Sequence, residues 1–89
     1  MSSGWQLVIH EQAWDFSESI RSGEKGQLKR GLHSLLNDPT QRPDALRRSP
    51  GDREYSVKYF GRFRVVYWLD PLVQELRIVE IGQIRPKSQ

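Results

Sequence analysis

Cysteine is absent from this 89-residue chain, which excludes a disulfide framework and any thiolate metal site. That absence fits a reducing cytoplasm, the expected location. Long apolar runs are also missing: none approaches the roughly 20 residues needed to span a bilayer, and the N-terminus has no signal-peptide pattern. Met1-Ser2-Ser3-Gly4 reads as a short flexible leader, and the last four residues, 86–89, as a flexible tail. Histidine is scarce. His10 and His33 fall on separate expected helices with no carboxylates at ligand spacing, so no metal site and no cofactor is expected. No G-x-G-x-x-G, no P-loop and no serine in a nucleophile elbow occurs. There is no internal repeat and no low-complexity tract.

What is present suits one small domain spanning residues 1–89. Hydrophobic residues make up 36% and aromatics 10% of the chain. That is enough for a core despite a mean hydropathy of −0.71. The formal net charge is only +3, but it is unevenly spread. Between Arg42 and Arg64 stand seven basic residues (Arg42, Arg47, Arg48, Arg53, Lys58, Arg62, Arg64) against three acidic ones (Asp44, Asp52, Glu54). Residues 5–24 reverse the balance, with Glu11, Asp15, Glu18 and Glu24 against Arg21. A polyanion or an acidic protein partner for the second half accounts for this asymmetry. An ordinary solvated surface accounts for it equally well, and composition alone leaves both open.

The periodicity predicts an α+β order. Trp5 to Ile9 is a short run of β formers and predicts a first strand. From His10, Ala13, Phe16 and Ile20 recur at helical spacing, and Ser22-Gly23 is expected to end this helix. Leu28, Leu32, Leu35 and Leu36 form one stripe of a second helix, which Asn37-Asp38-Pro39 stops. Residues 38–53, with three prolines and Gly51, predict a long basic loop holding at most one short turn around Leu46. Tyr55 to Phe60 and Arg62 to Leu69 flank Gly61 as a hairpin. After Asp70-Pro71, Glu75 to Ile81 completes a three-stranded antiparallel meander. Two helices packed on one face of such a sheet leave the other face open.

Alternation assigns the faces. Phe63, Val65, Tyr67 and Leu69 are expected to meet the helices, with Arg62, Arg64, Val66 and Trp68 pointing away. On the preceding strand, pairing polar rows places Ser56, Lys58 and Phe60 on the open face beside Arg64. Tyr55, Val57 and Tyr59 then form the opposite row. Arginine forks bind phosphate oxygens in bidentate fashion, and neighbouring rings stack unpaired bases, so such a face suits RNA. Edge-exposed charges with no ligand explain the same residues.

The order of elements and the local wording resemble the RelE/ParE toxin superfamily of bacterial toxin–antitoxin systems. The resemblance rests on Val8-Ile9-His10-Glu11-Gln12-Ala13, on Leu35-Leu36-Asn37-Asp38-Pro39, and on Leu46. It rests most specifically on Tyr55 to Tyr67, in which Gly61-Arg62-Phe63-Arg64-Val65-Val66-Tyr67 is similar to the family's G-x-[YF]-R-hydrophobic-hydrophobic-Y strand. Ile78 to Arg85 is similar to its terminal strand. The resemblance implies a β-α-α-β-β-β fold and, in the RelE branch, an endoribonuclease that cuts messenger RNA on the ribosome. By position it implies Arg64, Arg85 and Lys58 as catalytic residues. RNA contacts are expected from Arg62, Arg53, Arg48, Lys87 and Trp68. It further implies a cognate antitoxin as partner, and neither membrane nor metal. The sequence departs from the family after the last strand, where a tyrosine or histidine is common. Here the chain runs Arg85-Pro86-Lys87-Ser88-Gln89, which leaves Glu54, Glu80 or Lys87 as proton-transfer groups. Two alternatives stay open: a ParE-like gyrase poison, and a degenerate toxin acting mainly through antitoxin binding.

Overall fold

A computed structural model describes residues 4–51 and 53–84. Arg85, Lys87 and the expected flexible ends other than Gly4 lie outside the described residues.

The first strand, β1 (Gln6–Ile9), runs straight into helix α1 (Glu11–Ser19). Glu11 in the first turn complements the positive end of the helix dipole. Ser22 and Gly23 do not end this helix. Ile20 and Arg21 are the extended break, and Ser22 opens helix α2 (Ser22–Asn37). Serine and glycine are tolerated there because the amides of a first turn have no intrahelical partner to lose. Leu28, Leu32 and Leu35 are buried as the stripe predicts. Gly31 is buried among them for a steric reason: a Cβ there would lie 2.4 Å from the Phe60 ring. Without a side chain at 31, α2 sits directly on the sheet.

Residues 38–53 are not wholly a loop. Ala45–Arg48 forms an edge strand, β2, antiparallel to β3 (Glu54–Phe60). Leu46, the expected centre of a short turn, is 60% exposed on this strand. β4 (Phe63–Asp70) and β5 (Glu75–Gln83) complete a sheet of order β1-β5-β4-β3-β2, antiparallel except for the parallel β1–β5 pair. The expected α+β architecture, two helices over a small and mostly antiparallel sheet, is therefore present, with one additional strand.

The core lies between helices and sheet and holds Ala13, Leu28, Leu32, Leu35, Phe63, Val65, Tyr67, Leu76, Ile78 and Ile81. Phe16 meets Phe63 edge to face, with ring centroids 6.3 Å apart. Burial pushes the Tyr67 phenol above its ordinary pKa of 10.0; Asp44 adds to the rise, and a hydrogen bond with Ser56 opposes it.

Register decides the open face. Gly61 takes a positive φ of 60° in a two-residue turn with Arg62, and that turn pairs Phe60 with Phe63. Phe60 therefore faces the helices. Between β4 and β5 the pairing shifts: Val66 opposes Glu80 while Tyr67 opposes Ile78, leaving Val79 as an extra residue. This bulge turns Glu80 to the open side while Ile78 and Ile81 both stay in the core.

Candidate nucleic-acid interface

Rows of cross-strand partners cover the side of the sheet away from the helices. One row runs Ala45, Val57, Val66, Glu80; the next runs Tyr59, Arg64, Gly82. Val57 and Val66 are 4% and 1% exposed yet stand outside the main core. They form an apolar floor on the open face, beneath the charged groups.

Arg64 lies above this floor. Its guanidinium sits over Gly82, where a Cβ would come within 2.8 Å of Nη2. The missing side chain thus makes the bed for the arginine. Arg64 Nη2 donates to Glu80 Oε2 at 3.2 Å, and Arg47 Nη1 donates to Glu80 Oε1 at 2.9 Å. Arg47 on β2 thereby reaches Glu80 on β5 over the two intervening strands. Arg64 Nε is buried and has no hydrogen-bond partner among the described residues. Depressions of about 370 Å³ and 290 Å³ share Arg47; the first is lined also by Tyr59, Val57 and Arg64, the second by Tyr55, Val66 and Glu80.

Trp68 carries two cations. The Arg53 guanidinium carbon lies 4.2 Å, and that of Arg77 5.4 Å, from the indole ring centre. Arg77 is held by Glu75 at 2.5 Å. Arg48 is exposed opposite Glu54, and Arg62 is exposed in the hairpin turn, where its carbonyl accepts from the Ile84 amide.

Lys58 stands elsewhere. It pairs with Val65, a core residue, so the sheet separates it from Arg64. Its ammonium donates to the Arg42 carbonyl at 3.1 Å and lies 3.7 Å from Asp44 Oδ1. Asp44 also accepts from the Tyr59 amide, and its own amide donates to Val57. Lys58 therefore fastens the start of β2, and the expectation that it shares a face with Arg64 fails on register.

Sequence reasoning missed Arg47, Tyr59 and Gly82 and left Glu80 unplaced. Two signals were available. A two-residue turn places its flanking residues on one face, which puts Lys58 beneath the helices and Tyr59, 44% exposed, beside Arg64. The core residues Leu76, Ile78 and Ile81 change phase, which requires a bulge. Among the described residues no three His, Cys, Asp or Glu side chains are placed to hold a metal ion. None of the described helices is long and apolar enough to cross a membrane.

No family model matches the sequence, and no curated protein matches it. Solved structures do. A chain of the RelBE2 toxin–antitoxin complex of Mycobacterium tuberculosis aligns with a TM-score of 0.76 at 14% identity, covering 90% of this chain and 98% of that one. The archaeal RelE–RelB complex of Pyrococcus horikoshii gives 0.71 at 17%, covering 90% and 94%. The isolated Escherichia coli RelE toxin gives 0.70 at 19%, covering 93% and 87%. At these identities the likeness concerns architecture: this chain has the fold of the RelE toxins.

Proposed function

We propose that the chain is the toxin of a toxin–antitoxin pair and an endoribonuclease that cuts messenger RNA on the ribosome. The observation that carries this reading is Arg64, bedded on Gly82 on the helix-free face of a RelE-type sheet. Cleavage of this class attacks phosphorus with the neighbouring ribose 2′ oxygen, whose proton passes to solvent water, and expels the 5′ oxygen. Charge builds on the non-bridging oxygens, where a fixed guanidinium stabilises it. Tyr59 brings a phenolic hydroxyl to the same row, a donor for the departing oxygen. Trp68 with Arg53 offers a stacking surface for a flanking base. The antitoxin, in this reading, covers the same basic face with an acidic segment.

The test is cleavage of messenger RNA on translating ribosomes. Arg64→Ala should slow it at least about tenfold, equivalent to roughly 1.4 kcal/mol of transition-state stabilisation. Inhibition of gyrase supercoiling without RNA cleavage would replace this reading with the gyrase-poison one.

A further inference from the structure

Resting on that reading of the face, we propose that Arg47 and Arg64 form a two-arginine phosphate clamp which the chain's own Glu80 carboxylate occupies until a phosphate displaces it. Each oxygen of Glu80 is held by a different guanidinium, at 2.9 Å from Arg47 and 3.2 Å from Arg64. Two cations converging on one anion through separate oxygens is the arrangement that a phosphodiester meets in a protein site. Glu80 is on this face only because the bulge opposite Val66 and Tyr67 puts it there. In unbroken alternation with Ile78, it would face the helices.

The clamp is unsaturated. The contact with Glu80 uses a terminal nitrogen of Arg64 and leaves Nε buried without a partner among the described residues. A phosphate brings more acceptor oxygens than a carboxylate and, once Glu80 leaves and the Arg64 side chain turns outward, can take both the terminal nitrogen and Nε. Displacement is also inexpensive. The side chains of Arg47, Glu80 and Arg64 are 52%, 38% and 39% exposed, and ion pairs this open to water are weak. Room for an incoming ribose-phosphate exists in the depressions flanking Arg47. Glu80 thus sets the affinity of the face: it neutralises one of two arginines and competes for both.

The experiment measures binding of the full chain to a fluorescein-labelled 2′-O-methyl oligoribonucleotide, which has no nucleophile and stays intact. Glu80→Gln should bind about three- to tenfold tighter at low salt, the effect of releasing two exposed ion pairs. Glu18→Gln, with the same change in net charge but placed on α1, should stay within about twofold. Arg47→Ala should bind more weakly, with a salt slope about 0.7 smaller, as expected for one lost phosphate contact on a single strand. Unchanged or weaker binding by Glu80→Gln, in a protein whose melting temperature is retained, overturns the proposal. So does an equal gain from Glu18→Gln.

A second readout separates this inference from the ribonuclease reading. Titration with inorganic pyrophosphate, followed through the arginine Nε–H signals in NMR, should move Arg64 at lower ligand concentration in Glu80→Gln than in wild type. If that holds while messenger RNA is not cut on ribosomes, the clamp stands and the ribonuclease reading falls. If Arg64-dependent cleavage occurs but Glu80→Gln leaves pyrophosphate affinity unchanged, the clamp falls alone.

Discussion

Arg64 owes its position to a neighbour with no side chain. A Cβ at position 82 would press on the far end of the guanidinium, a group that swings aside at little cost to the fold. Gly82→Val should therefore leave the melting temperature within a few degrees of wild type while weakening RNA cleavage about as much as Arg64→Ala does. Thermal unfolding beside the ribosome assay checks the split; a Gly82→Val protein that cuts at the wild-type rate would detach the glycine from the site. The sequence showed Arg64 plainly, because it stands in alternation with a core row. It could not show Gly82 as a bed or Arg47 as a partner, since both depend on which residues oppose each other across four strands.

Register is a property of elements, and it moved the site further than any single side chain did. The leucine stripe, the Gly61 hairpin and the Phe63-Val65-Tyr67 core row were legible because each follows a local period. β2 was not, because Ala45-Leu46-Arg47-Arg48 buries no alternating face and forms by pairing with the next strand, Ala45 with Val57 through Arg48 with Glu54. Lys58 followed the wrong cue, a polar residue matched to a polar row, when the two-residue turn had already set its face. Its role in the structure is to tie Arg42 and Asp44 to β3. Replacing it with methionine should cost about 1 kcal/mol of stability and speed amide exchange in Ala45 and Arg47. Cleavage per folded molecule should remain close to wild type. A loss of cleavage rate without a loss of stability would return Lys58 to the chemistry.

At the scale of the whole molecule, the resemblance seen in short stretches of sequence is matched by the course of the backbone, with RelE structures aligning over nine-tenths of the chain. Among the described residues, the core that supports this backbone contains one ionisable side chain, Tyr67, whose phenol burial holds above its ordinary value. Below the unfolded-state value near 10 the phenol is protonated in both states, so its contribution to stability is complete there. As pH rises from about 10 through the higher folded value, the unfolded chain releases the proton first and that contribution is lost. Melting temperatures should fall across this alkaline range, and Tyr67→Phe should flatten the decline; an unchanged slope in that variant would clear Tyr67 of the effect. The site proposed for RNA lies on the opposite side of the sheet, where arginines meet an apolar floor. The most direct measurement is cleavage of messenger RNA on translating ribosomes by wild type and Arg64→Ala. Cutting by the wild type and at least about a tenfold loss in the variant are expected; equal cutting by both would remove Arg64 from the chemistry.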